Sequence, residues 1–149
     1  MSLLHQTDNQ VISAKMKRAM DLSHDYVRFL TEDALALRLP NVPSNSIGEQ
    51  VWCIVGARES YLKAMQLGVW AGFSCSLTNH LAKDIVLAAL EATSNRIMEF
   101  LQSATLTPAT LSFVIDLLEH EVQHHGQLIR YSYANKTGFP VTWRERYTV

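Results

Sequence analysis

The sequence predicts an all-α fold, a four-helix bundle formed by a single domain. Apolar residues recur at three- and four-residue steps through four long segments, and glycine and proline cluster at the breaks between them. No segment has the apolar/polar alternation that is typical of a β-strand. The chain has 149 residues, of which 48% are hydrophobic and 18% charged, which is typical of one globular domain with its own core.

The first predicted helix runs from about Val11 to Leu37, because apolar side chains follow a helical period over this whole stretch. Pro40 and Pro43 would then end it, since proline has no backbone N–H and clashes with the preceding turn. Leu22, Phe29 and other apolar residues surround much of this helix, which is compatible with burial against a partner.

The second predicted helix begins at Ser46 and ends near Leu67. Ser46 and Glu49, three residues later, form a capping-box pattern in which each side chain accepts a hydrogen bond from the backbone N–H of the other residue. Gly68 follows the last apolar position, where a glycine commonly ends a helix.

The third and fourth helices are predicted over residues 79–103 and from Pro108 to Asn135. Thr107 is a good N-cap for the fourth helix, and Pro108 occupies the first helical position, where its missing N–H is not needed.

The charge and the N-terminal sequence exclude several classes of protein. The net charge of -1 gives no electrostatic reason to expect nucleic acid or an anionic membrane as a partner. We see neither a signal peptide nor an apolar stretch long enough for a transmembrane helix, and two cysteines are too few for a disulfide scaffold. We therefore expect a cytoplasmic protein with reduced thiols.

Two charged residues interrupt the apolar faces of the predicted helices. Arg58 projects onto the apolar face of the second helix, and Glu121 onto that of the fourth. An unpaired buried charge is very costly, so we expect the two side chains to pair across the helices. The alternative is that one or both reach solvent along the helix surface.

A pair of histidines on the fourth helix is the strongest local signal for chemistry. His120 and His124 are four residues apart, so they share one helix face, and this spacing allows two imidazoles to bind one metal ion. Two histidines at this spacing are more often ordinary surface or core residues. Here, however, they project along one edge of the apolar face, next to Phe113, Leu117 and Tyr131.

Cys53 lies on the second helix and projects near Gln50, Ala57 and Ala64, whose small or polar side chains leave room for a pocket. A thiolate is a good zinc ligand. Cys53 is otherwise an ordinary reduced thiol, or a redox-sensitive one if its pKa is lowered and solvent reaches it.

Three segments resemble the DinB-like (YfiT-like) family of metal-dependent enzymes. Residues 46–62 resemble the second helix of that family, and residues 120–128 resemble its last bundle helix, including Gly126 and Gln127 after the second histidine. The tail at residues 138–143 is similar to the family's ending. The resemblance implies a four-helix bundle over nearly the whole chain.

The resemblance also implies a divalent metal, zinc or nickel, held by three histidines. Two of the family's positions fall on His120 and His124, and the third falls on Cys53, so this chain has cysteine where the family has histidine. Three interpretations remain: a Cys-His-His site, weak binding by the two histidines alone, or an inactive site. Possible replacement ligands are His125, Gln127, His24 and His80, although His125 projects into the core and His80 into a loop.

By the same resemblance, the chain is a metal-dependent hydrolase or thiol S-transferase acting on a small molecule, and it forms a homodimer. Glu121 and Gln127 are then candidates for orienting the ligands Cys53, His120 and His124. The alternative is a catalytically inactive bundle that binds a small molecule or mediates dimerisation.

Overall fold

The fold is described here from a computed structural model, which covers the backbone of residues 3–149 and the side chains from residue 8 onward. The described chain is all-helical and has no strand beyond one isolated bridge between Arg38 and Ser46. Five α-helices follow in order: α1 Leu3–Phe29, α2 Ile47–Leu67, α3 Lys83–Ser103, α4 Pro108–Asn135 and α5 Val141–Tyr147. None of the helices within this range is both long and apolar enough to cross a membrane.

The first four helices form the bundle. α2 packs against α4 and α3, and α1 packs against α3 and α4, so that α1 and α2 lie diagonally across the bundle from each other. The predicted all-α bundle is therefore confirmed, and the arrangement brings α2 and α4 side by side along most of their length.

The ends of α2 and α4 agree with the sequence prediction because local capping determines them. Ser46 accepts a hydrogen bond from the backbone N–H of Glu49 at 3.1 Å, and the Glu49 carboxylate accepts one from the backbone N–H of Ser46 at 2.6 Å. At α4, the Thr107 side chain caps the backbone N–H of Thr110 at 3.2 Å, and Pro108 is the first helical residue.

The predicted bounds of the first and third helices were wrong at one or both ends. α1 begins earlier, at Leu3, and ends at Phe29, and residues Glu32–Ala36 form a separate 3-10 helix. A 3-10 helix has about three residues per turn, close to the period of an α-helix. Ala34 and Leu35 are therefore buried at a spacing that the sequence alone does not distinguish from a continuous α-helix. α3 begins at Lys83 rather than near residue 79, because Asn79 accepts a hydrogen bond from the backbone N–H of Leu81 and holds a turn there.

The sequence also did not predict α5, which packs against the bundle after the chain leaves α4. Trp143 of α5 is fully buried, and its indole N–H donates to the carbonyl oxygen of Leu22 at 2.7 Å. Its ring lies 4.7 Å from the ring of Tyr26. α5 therefore covers one part of the core that α1 and α4 would leave open.

The core consists of two apolar clusters with a polar layer between them. One cluster surrounds Tyr26, Leu128 and Trp143, and the other surrounds Met16, Ile97 and Leu117. Fully or almost fully buried polar side chains occupy the boundary along α1, α2 and α4: Ser23, Arg58, Glu121 and His125.

Candidate metal centre

Three potential metal ligands meet where α2 and α4 lie side by side. Cys53 of α2, His120 and His124 of α4 each place one ligand atom within 4.8 Å of the ligand atoms of the other two. The Cys53 Sγ atom lies 3.6 Å from Nε2 of His120, across a separation of 67 residues in sequence. The structure therefore brings together the three residues that the family resemblance implies as ligands.

The distance between Cys53 and His120 fits a tetrahedral zinc site. Zinc–sulfur and zinc–nitrogen bonds of about 2.3 and 2.0 Å in a tetrahedron place the two ligand atoms about 3.5 Å apart. The observed 3.6 Å matches this separation, and the remaining distances need side-chain adjustments of about 1 Å. One thiolate and two imidazoles also form a donor set that suits zinc chemically.

His124 is held in the tautomer that a metal ligand requires. Its Nδ1 atom makes a short hydrogen bond to the side-chain carbonyl oxygen of Gln50, so Nδ1 carries the proton and Nε2 keeps a free lone pair. Gln50 is itself oriented, because its amide nitrogen donates to Oδ1 of Asn45 at 2.9 Å. Asn45 in turn accepts a hydrogen bond from the hydroxyl of Tyr131. This chain of contacts fixes the imidazole before any ligand arrives.

His120 has one nitrogen whose hydrogen-bonding capacity is unused. Its Nε2 atom faces Cys53, whereas Nδ1 is buried and is the one buried side-chain nitrogen or oxygen without a partner in the part of the chain that the structure describes. An unsatisfied buried polar group costs about 1–3 kcal/mol. The geometry and the donor chemistry together show that the cluster could hold a metal ion.

The protonation states of the two histidines also favour metal binding. Burial lowers the pKa of His120, against the opposing effect of the Glu121 charge. Burial, together with the nearby His120, lowers the pKa of His124 to about 4. The imidazole of His124 is therefore neutral at pH 7, and the lowered pKa of His120 favours its neutral form as well.

Burial raises the pKa of the Cys53 thiol, so the metal-free protein holds this residue as a protonated thiol at neutral pH. A metal ion must displace that proton when it binds. A raised pKa is the opposite of what a redox-sensitive thiol requires, which argues against that interpretation of Cys53.

The two residues predicted to orient the ligands lie elsewhere. Glu121 is fully buried and forms an ion pair with Arg58, and the predicted pairing of these two residues is confirmed. Gln127 is exposed on α4. Gln50 instead supports His124, and its position one helical turn before Cys53 was the signal for this in the sequence.

The other histidines considered as replacement ligands are not part of the cluster. His125 is fully buried in the polar layer, with Nε2 2.7 Å from Oγ of Ser23 and Nδ1 2.6 Å from the hydroxyl of Tyr147. His24 makes a hydrogen bond to Arg28 within α1, and His80 lies against Gly48 at the start of α2. None of these three histidines belongs to the cluster of potential metal ligands that contains Cys53.

Comparison of this chain with protein-family models, with curated proteins and with solved structures finds no match. The description of the site therefore depends on its geometry alone.

Proposed function

We propose that this protein binds a divalent metal ion, zinc in the first place, through Cys53, His120 and His124. The observation that supports this most directly is the meeting of three ligand atoms from two helices at the spacing of a tetrahedral site, with the Nε2 lone pair of His124 already exposed by its hydrogen bond to Gln50. Nickel is the alternative metal under the same proposal.

We further propose that the site serves hydrolysis or thiol transfer on a small molecule, as the DinB-like resemblance implies. Three protein ligands leave one coordination position open, where a bound metal would lower the pKa of a water or thiol. The chain contributes an oriented, neutral imidazole at His124, a second imidazole with a lowered pKa at His120 and a partly exposed thiol at Cys53. Glu121 does not supply a general base, because its carboxylate is committed to Arg58 and Ser23.

The homodimer that the resemblance implies stays a prediction. Leu22, which favoured a partner for the first predicted helix, is buried in the core of the chain itself, and Leu30 and Leu35 from the same predicted helix are buried there as well. Phe29 is 46% exposed and remains available to a partner.

The decisive test is the metal content of tag-free protein, measured by elemental mass spectrometry for the wild type, Cys53→Ala and Cys75→Ala. Cys75 is the matched control, since it is a free and partly buried cysteine outside the cluster. We expect about one zinc per chain in the wild type and in Cys75→Ala, and most of it lost in Cys53→Ala.

Metal-free wild type, even after dialysis against excess zinc and nickel, would contradict the proposal. The bundle would then be a module for small-molecule binding or dimerisation. If zinc is retained, assays of thiol transfer and of small-amide hydrolysis test the catalytic part.

A further inference from the structure

The connection between α2 and α3, residues 68–82, runs beside the metal centre and exposes large apolar side chains. Trp70 is 46% exposed and Phe73 is 45% exposed, and Leu67 and Val69 next to them are more exposed still. An exposed group of apolar side chains on a folded domain commonly marks a binding surface.

This connection is attached to α2 by hydrogen bonds along its length. The Ser60 hydroxyl donates to the carbonyl oxygen of Ser74 and accepts from its backbone N–H, both at 3.0 Å. The backbone N–H of Ser76 donates to the Glu59 carboxylate at 3.0 Å. The backbone next to Phe73 is therefore fixed to α2, so little backbone entropy would be lost when a ligand binds there.

Phe73 lies against the α2 backbone at Gly56, three residues after Cys53. A Cβ atom added at Gly56 would come within 2.4 Å of Cζ of Phe73, so the ring occupies the space that a side chain at Gly56 would need. Gly56 follows Cys53 by three residues, which makes the two positions neighbours on the helix surface. Trp52, directly before Cys53, places its ring 5.4 Å from that of Phe73.

One hydrogen bond and one turn of the backbone position the aromatic pair beside α2. The thiol of Cys75 donates to the carbonyl oxygen of Trp52 at 3.3 Å, which draws the connection onto the helix at the position before Cys53. Gly72 has a φ of 94°, a conformation that L side chains rarely adopt, and it turns the chain immediately before Phe73. The Trp52–Phe73 pair thus lies against the turn of α2 that carries Cys53, and Cys53 meets the histidines of α4.

We propose that Phe73 and Trp52 form an aromatic wall of the ligand site, and that the ligand has an aromatic or similar planar apolar group beside a metal-binding head group. This inference rests on the proposed metal centre and adds the class of substrate. A small molecule is the occupant because three protein ligands would leave the proposed metal open to a head group, with the wall close to one of those ligands, Cys53. Covering part of the Phe73 ring would add binding energy in proportion to the apolar area removed from water.

The test compares two probes with the same head group, acetohydroxamate and benzohydroxamate, by calorimetric titration of the zinc-loaded protein. We expect wild type to bind benzohydroxamate at least about tenfold more tightly. Phe73→Ala should lose most of this preference while its affinity for acetohydroxamate and its zinc content stay unchanged. Gly56→Ala, which displaces the Phe73 ring without removing it, should reduce the preference in the same way.

Ile85→Ala is the matched control, since Ile85 is also 45% exposed but lies on α3. It should keep the wild-type preference. A zinc-loaded wild type without preference, or a preference unchanged in Phe73→Ala, overturns the aromatic wall and leaves the metal centre intact. A wild type that retains no zinc overturns the metal centre and this inference with it, and the measured zinc content distinguishes the two failures.

Discussion

Arg58 and Glu121 form an ion pair at the centre of the bundle, with both side chains fully buried. The guanidinium Nε donates to the Glu121 carboxylate at 3.2 Å, and a second, short hydrogen bond joins Nη2 to the other oxygen. The remaining donors of Arg58 reach the carbonyl oxygens of Leu90 in α3 and Met20 in α1, and the hydroxyl of Thr93. One side chain of α2 thus makes hydrogen bonds to each of the other three bundle helices.

Breaking this pair on one side should destabilise the protein strongly. Arg58→Met leaves a buried carboxylate without its counter-charge, and we expect a loss of about 3–5 kcal/mol in the free energy of unfolding, measured by urea denaturation. Arg58→Met combined with Glu121→Leu should be more stable than Arg58→Met alone, because no uncompensated charge remains.

The exposed pair of Lys17 and Asp21 in α1 is the control for this experiment. Their side chains are 59% and 53% exposed, so Lys17→Ala should cost less than about 1 kcal/mol. A double variant as unstable as Arg58→Met would show that the hydrogen bonds of Arg58 to α1 and α3, rather than the charge of Glu121, dominate its contribution.

The sequence predicted most of the fold because its strongest signals are local. Caps at Ser46 and Thr107 lie within three residues of the groups they satisfy, and the pairing of Arg58 with Glu121 follows from the cost of an unpaired buried charge. The break after Phe29 and the helix α5 depend on long-range packing. Trp143, for example, is buried by contacts with Tyr26 and Leu22 that a local pattern does not contain.

Stability of the metal-free protein should fall as the pH is lowered from about 6.5 to about 4. Burial lowers the pKa of His125 to about 4, against the opposing charge of Glu121 and with help from the charges of Arg58 and Arg146, and the pKa of His124 lies at about 4 as well. Between about pH 6.5 and pH 4 the histidines of the unfolded chain are protonated while those of the folded chain stay neutral, so the folded state loses stability as the pH falls. For fully buried His125 the shift corresponds to about 3 kcal/mol.

Protonation of Glu121 causes a second loss of stability, at a lower pH than that of the histidines. Burial alone would raise the pKa of Glu121, but the charge and hydrogen bonds of Arg58 outweigh it and the net pKa is lowered. The stability that Glu121 contributes is thus present above the ordinary pKa of a glutamate and is lost as the pH falls through the lower pKa of the folded state.

Thermal melting in the presence of a chelator, from pH 7.5 to pH 3.5, measures the loss of stability from the histidines and from Glu121. His125→Gln should show a shallower decline, and a melting temperature that is flat from pH 7 to pH 4.5 would rule out neutral buried histidines.

Removing the N-terminal cap of α2 should destabilise the protein by about 1 kcal/mol. Ser46→Ala deletes the hydroxyl that accepts from the backbone N–H of Glu49, which leaves that donor without its partner. Denaturant unfolding measures the change. Ser112→Ala, at an exposed position within α4, is the control and should change stability by less than about 0.5 kcal/mol. Equal effects of the two substitutions would argue against the capping box.

The candidate site was predictable only in part, because its components come from distant segments. The spacing of His120 and His124 is a local pattern that the sequence shows directly. Cys53 was placed with them only by the family resemblance, and the structure brings its thiol beside the two imidazoles. The role of Gln50 depends on which amide atom faces α4, and that is determined by Asn45 through tertiary contacts. Gln127 follows His124 closely in sequence but points to solvent.

Gln50 should therefore control metal affinity although it is not a ligand. Gln50→Leu removes the acceptor that holds the Nδ1 proton of His124, so the imidazole loses both its fixed orientation and its preferred tautomer. We expect the zinc dissociation constant to rise by about 10- to 100-fold, measured by competition with a chromogenic chelator. Gln127→Leu makes the same chemical change at an exposed position and should leave the dissociation constant within about twofold of wild type. Equal zinc affinity in Gln50→Leu and the wild type would mean that His124 binds without this support, or through Nδ1 rather than Nε2.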